Sequence, residues 1–149
     1  MEPKIYEFQS MKIVGVGNIG TPVNPGDVWS ILFSKIEEIP YRKHPIETLG
    51  IIKRNEQGYL AGAEVAQVIE IPEGMCLYEV PAGNYIGMTH RGPLNKINET
   101  FEKLIDWLFS NNYEQHDIVC FEVYDDRFKG DDIESEFELY VQIKNRYEG

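Results

Sequence analysis

The residues best suited to chemistry lie toward the carboxyl end, in the run Glu136-Phe137-Glu138-Leu139-Tyr140-Val141-Gln142-Ile143. In an extended chain successive side chains point to opposite faces, so Phe137, Leu139, Val141 and Ile143 share one face and Glu136, Glu138, Tyr140 and Gln142 the other. The apolar face suits packing against helices. On the polar face a carboxylate, Glu138, stands two residues from a phenol, Tyr140, a pair able to hold a cation or a hydrogen-bonding guest at the floor of a pocket. The same alternation also describes a half-buried strand whose polar face is simply wet.

Aromatic residues supply walls for such a pocket: nine Tyr, seven Phe and two Trp. Trp107 falls about a hundred degrees from the centre of its helix's apolar face, which makes it a flank residue able to lean over a cleft. Tyr85, just before Gly87 in its strand, and Trp29, near the start of the first helix, are further candidates for the same wall. The expected ligand-binding set is therefore Glu138, Tyr140, Trp107, Tyr85 and Trp29.

Other chemistries find less support. Gly15-Val16-Gly17-Asn18-Ile19-Gly20 matches the GxGxxG dinucleotide fingerprint, but Thr21-Pro22-Val23-Asn24-Pro25 follows and denies the glycine run the helix whose amino terminus would face a pyrophosphate. These glycines are expected to serve the bend between strand and helix. His44, His90, His116, Cys76 and Cys120 are not at metal-ligand spacing, and no serine sits in a GxSxG elbow. No metal, cofactor or catalytic set is expected.

A formal charge of −11 lacks the basic footprint that nucleic-acid phosphates require and favours cationic ligands or basic protein partners. Two cysteines make no disulfide framework. No stretch approaches the ~20 apolar residues of a membrane helix, and Met1-Glu2-Pro3-Lys4-Ile5-Tyr6 has no apolar signal core, so the expectation is a cytoplasmic protein with no membrane contact.

The elements that must position these residues occur as a repeat: Tyr6-Glu7 aligns with Tyr78-Glu79, Gly15 with Gly87, Gly20 with Gly92, and Leu32 with Leu104. Two units are expected, about residues 3–73 and 74–147, within a single domain spanning 1–149. In the second, residues 74–80 and 84–90 read as extended about the Pro81-Ala82-Gly83 turn. A helix follows, with Leu94, Ile97, Phe101, Leu104, Ile105 and Leu108 on one face and Asn111-Asn112 as its stop. Residues 118–124 and 137–143 then form a hairpin. The first unit reads as a strand at 12–17, a helix capped by Asp27 carrying Val28, Leu32, Ile36 and Ile39, and strands near 49–54 and 61–71. Each unit alone leaves an apolar face bare. An antiparallel sheet shared by both, with the two helices on one side, covers it and makes the fold α+β.

Four blocks carry a resemblance: Tyr78-Glu79-Val80-Pro81-Ala82-Gly83-Asn84-Tyr85, His90-Arg91-Gly92-Pro93, Trp107-Leu108, and Glu136 through Ile143. With the duplication, they resemble the gyrase-inhibitor-like family, which includes effector-binding domains of AraC-type and multidrug-responsive transcription activators. The resemblance implies a duplicated α+β domain with a cavity where the units meet, lined by aromatics and floored by a glutamate. Glu138 matches that glutamate, while Gln142 stands where the pattern has a proline. It implies a binding module for a small amphipathic, cationic ligand. Its alternatives are a hydrolase that attacks reactive electrophiles through the same Glu and a protein inhibitor of the DNA gyrase-inhibitor type. The family's activators also carry a helix-turn-helix domain, and the repeat uses all of this chain, so direct promoter binding is not expected.

Overall fold

A computed structural model describes residues 2–130 and 132–146. Eight strands form one antiparallel sheet: β1 Lys4–Phe8, β2 Met11–Asn18, β3 Thr48–Lys53, β4 Tyr59–Val65, β5 Cys76–Val80, β6 Gly83–Arg91, β7 Val119–Tyr124 and β8 Glu136–Gln142. Their spatial order is β1-β6-β8-β7-β3-β4-β2-β5. Helix α1 (Pro25–Lys35) follows β2 and helix α2 (Ile97–Ser110) follows β6. The element order strand, strand, helix, strand, strand thus occurs twice. That order alone does not establish that the halves superpose as one duplicated unit, and Tyr147, where the second was expected to end, lies outside the described residues.

Register fixes which side chains share a face. Ala61 lies opposite Gly50, Gly50 opposite Glu122, and Glu122 opposite Leu139, so all four are on the same face. Ala61 packs with Val28 and Leu32 of α1, and Leu139 with Leu104 and Leu108 of α2. Both helices therefore cover one side of an α+β fold, as the apolar periodicity required. On the other side Ile13, Leu49, Ile51, Leu60, Tyr85 and Phe121 form a second apolar cluster.

Local chemistry explains the helix ends. Asn24, not Asp27, is the N-cap of α1: its Oδ1 accepts from the Asp27 N–H at 3.1 Å, and Pro25 occupies the first turn, where a missing N–H costs nothing. Helix α2 ends where expected, with the Asn111 N–H bonded to the Trp107 and Leu108 carbonyls and Asn112 at φ 62°. The glycine run differs from expectation. Gly15 and Gly17 lie inside β2, where a Cβ would collide with the carbonyls of Ala61 and Tyr59 on β4, so they allow close strand approach and not a bend.

Two further elements depart from the sequence reading. Strand β1 was not anticipated; it is a short edge strand on β6 that brings Tyr6 and Phe8 against Tyr140. Strand β4 stops at Val65, and Ile69 beyond it is exposed, so the apolar residues at 68–71 do not extend the sheet.

The buried His90 is a structural histidine. Its Nε2 lies 3.0 Å from the Pro93 carbonyl, which can only accept, so Nε2 donates and Nδ1 accepts from the Thr100 hydroxyl at 2.7 Å. This bond ties α2 to β6. Thr100→Val leaves the ring nitrogen unpartnered and should lower the free energy of urea unfolding by about 1–3 kcal/mol; an unchanged unfolding midpoint would contradict this role for His90.

Candidate functional site

Between α1, the segment after it and the end of β7 lies a cleft of about 540 Å³. Trp29 and Phe33, one turn apart on α1, stack with ring centroids 5.5 Å apart and form one wall. Tyr124, at the end of β7, meets Trp29 edge-on at 5.4 Å and Phe128 at 4.8 Å. The buried Thr48 of β3 lies between them, and Glu37, Arg42 and Asp125 stand at the rim. The loop that presents Phe128 is pinned by Arg127, whose guanidinium grips both oxygens of Asp125 at 2.9 and 3.2 Å, and by the Lys129 N–H bonded to Ser135 Oγ at 2.8 Å.

Behind the Trp29 and Tyr124 rings lies the one carboxylate on the helix-covered face of β7. Glu122 Oε1 accepts from the Tyr59 hydroxyl at 2.7 Å, and the Tyr59 oxygen in turn accepts from the Trp29 indole N–H at 3.1 Å. Tyr124, two residues along the strand, stands on the same face, and its phenol also favours the ionised Glu122 carboxyl. Space for this network exists because residue 50 is glycine: a Cβ there would overlap the Tyr59 hydroxyl and lie 2.6 Å from Glu122 Oε1. Burial pushes the Glu122 carboxyl above the ordinary carboxylate range, and the Tyr59 and Tyr124 phenols offset part of that rise. Burial, with the neighbouring carboxylate, also pushes both phenols up, so Tyr59 and Tyr124 remain protonated donors.

The candidates read from the sequence fall in different places. Trp29 lines the cleft. Glu138 and Tyr140 sit on the sheet face away from the helices, as the alternation required. Glu138 is no bare carboxylate there: Thr89 Oγ1 donates to it, 2.7 and 2.8 Å from its two oxygens, and Arg127 lies at 3.9 Å. Trp107 stacks on Tyr113 at 5.6 Å against the α2 cluster, on the opposite side of the sheet, so the structure does not bring it to Glu138 or Tyr140. Tyr85 is fully buried among Phe8 and Phe121, its hydroxyl donating to the Pro81 carbonyl at 2.7 Å, and is a core residue rather than a cleft wall. Among the described residues no cluster has the makings of a metal site, and no helix is long and apolar enough to cross a membrane.

Residues 1–144 match the model of the GyrI-like small molecule binding domain. The chain belongs to that family. It is 33% identical to the transcriptional regulator BrlR of Pseudomonas aeruginosa over 96% of this chain and 56% of the regulator, and so spans little more than half of that relative's length. Its fold is similar to that of SAV2435 bound to tetraphenylphosphonium, with TM-score 0.72, 14% identity, and 97% of this chain and 94% of that chain covered. A hydrolase encoded by lin2189 from Listeria innocua shares the fold at TM-score 0.61 and 12% identity over 96% of this chain and 92% of that one.

In this GyrI-like chain a Glu-x-Tyr pair occurs twice, as Glu122-Val123-Tyr124 and as Glu138-Leu139-Tyr140. Only the first lies on the helix-covered face with the large cleft. The signal for it was a single acidic residue inside the otherwise apolar and aromatic run from Ile118 to Tyr124. Tyr59 had no such signal, since only the register of β3 against β4 and β7 brings it beside Glu122.

The raised proton affinity of Glu122 has a definite sign. The folded protein keeps a proton that the unfolded chain releases, so this group's contribution to stability is present at acid pH and is lost as pH rises from the ordinary carboxylate range through the raised value. Glu122→Gln has no proton to lose. The stability of the wild type minus that of the variant should therefore fall as pH rises, measured as paired thermal melts; a difference independent of pH would contradict the burial of this carboxyl. Gly50→Ala should cost about 1–3 kcal/mol in urea unfolding by forcing Tyr59 and Glu122 apart.

Proposed function

We propose that the cleft binds a small amphipathic guest that carries a cation or a hydrogen-bond donor, with Trp29, Phe33, Tyr124 and Phe128 as walls and Glu122 as the group that answers the charge. The observation that carries this reading is the carboxyl placed behind two aromatic walls with its ionisation disfavoured by burial. Ionising it in place costs several kcal/mol before compensation, and the Tyr59 bond, at about 1.5–3 kcal/mol, offsets part of that. A cationic guest supplies the remainder. Aromatic walls add about 0.5–2 kcal/mol per good cation–π contact and tolerate varied shapes, which suits a broad ligand range. The cleft volume lies within the range of drug-sized sites. The net charge of −11 draws cations from a distance.

Tetraphenylphosphonium, bound in the structure of SAV2435, is the natural probe. It should bind with saturable heat and quench Trp29, whereas triphenylphosphine oxide, a neutral analogue, should bind more weakly. Glu122→Gln should weaken the cation by about tenfold or more, ~1.4 kcal/mol, and the neutral analogue far less. Affinity for the cation should rise with pH across the window in which Glu122 loses its proton, and Glu122→Gln should flatten that rise. Equal loss of both ligands in Glu122→Gln, or no binding of either by the wild type, would overturn the reading.

The likeness to the transcriptional regulator BrlR supports an effector-sensing role, in which guest binding is reported to another domain or partner. A second reading is favoured by one feature: a carboxyl whose proton affinity burial raises, beside two phenols, is placed for general acid or base work on an electrophilic guest. Mass spectrometry after incubation with such a compound separates the two, since conversion that stops in Glu122→Gln marks an enzyme and binding without conversion marks a sensor.

A further inference from the structure

Among the described residues, Arg42 is the one basic side chain that lines the cleft between α1 and the end of β7. Its backbone is fixed. Arg42 bridges Val65 at the end of β4, and the bonds on either side, from the Ala66 N–H to the Tyr41 carbonyl and from the Lys43 N–H to the Glu64 carbonyl, are both 2.9 Å. Successive side chains of an extended segment point to opposite faces. Lys43 therefore turns to the other side of the sheet and pairs with Glu64 at 3.3 Å, while Arg42 turns to the cleft.

The Arg42 side chain is only 18% exposed, yet its partners are poor. Nη1 lies 3.4 Å from the Pro45 carbonyl, at the long limit of a hydrogen bond, and Nη2 lies 3.9 Å from Glu37 Oε2, beyond one. A guanidinium carries five N–H donors in a planar fork, so most of these have no protein acceptor among the described residues. None of the described residues has a polar side-chain atom both sealed from solvent and unpartnered, and Glu37 and Pro45 both line the cleft, so the unused donors open onto it. The acids at the rim leave them free. Asp125 is held by Arg127 through Nε and Nη2, each at 2.9 Å, and Glu37 is 90% exposed, in the kind of ion pair that water and salt weaken most.

We propose that Arg42 anchors a carboxylate on the guest, so that the ligand class of the cleft is an amphipathic zwitterion, its cationic end answered by Glu122 and its acid by the Arg42 fork. This rests on the reading of the cleft given above and names the second polar group of its guest. A planar donor fork beside stacked rings suits a carboxylate carried on an aromatic body. The net charge of −11 opposes a guest that is only anionic, and a guest that is only cationic leaves the fork unanswered. The acid displaces the loose Glu37 contact and, held by two parallel bonds, fixes which way round the guest lies between the aromatic walls.

The test compares carboxybutyl-triphenylphosphonium with its methyl ester, which keeps the cation and the shape and removes the negative charge. Affinities are measured by calorimetry, with Trp29 quenching to place both compounds in the cleft, for wild type, Arg42→Gln, Arg42→Lys and Glu122→Gln. The wild type should bind the acid about tenfold more tightly than the ester. Arg42→Gln should erase that advantage and leave the ester's affinity unchanged, whereas a role in holding the segment alone would weaken both compounds alike. Arg42→Lys, which keeps the charge and loses the fork, should retain part of the advantage. Glu122→Gln should weaken both compounds and leave their ratio as it is. Equal affinity for acid and ester in the wild type, or an advantage that survives Arg42→Gln, would overturn the proposal and leave the reading of the cleft standing; no binding of either compound would overturn both.

Discussion

A carboxyl group in the middle of an apolar strand must find hydrogen-bond donors or keep its proton, and the helix-covered face of this protein is arranged around that demand at Glu122. Its strand, β7, lies near the middle of the sheet. The partners come instead from two other strands and a helix: Gly50 leaves the space, Tyr59 of β4 reaches across it, and Trp29 of α1 donates to Tyr59. Tyr124, two residues along the same strand, closes the set and forms the wall that a ligand would meet. Burial outweighs what the phenols return, so the carboxyl's proton affinity stays raised until an opposite charge is brought to it.

The two faces of the sheet solve the same problem differently. Glu138 sits in a similar Glu-x-Tyr pair, but Thr89 and Arg127 satisfy it, and the Arg127 that reaches it is also clamped by Asp125. That carboxylate behaves as part of a strand-to-loop brace. The brace has a consequence for the cleft, because the same Arg127–Asp125 pair holds the loop carrying Phe128. The segment from Arg42 to Leu49 lines a cavity on each side of the sheet.

Much of the fold was legible in the sequence because it rests on periodicity. The apolar stripe of α2, the alternation of β8 and the breakers at Asn111-Asn112 each state their structure locally. Strand β1 escaped because it is five residues long and owes its place to pairing with β6, a long-range contact. The glycines of β2 misled for a related reason, since what they permit is the approach of a strand more than forty residues away in the chain. Trp29, read from its position near the start of a helix, lines the cleft. Glu138 stood out because alternation gave it an evident polar face; Glu122 is flanked by Phe121 and Val123 and shows its partners only after three strands are set in register.

The measurement that bears most directly on this account is the titration of the Glu122 carboxyl carbon itself, followed by carbon-13 NMR in the free protein and in the presence of saturating tetraphenylphosphonium. The account predicts a midpoint above the ordinary carboxylate range in the free protein, because burial outweighs the neighbouring phenols, and a clear downward shift when the cation is bound. An ordinary midpoint in the free protein, or a raised one that saturating cation leaves unmoved, would contradict it.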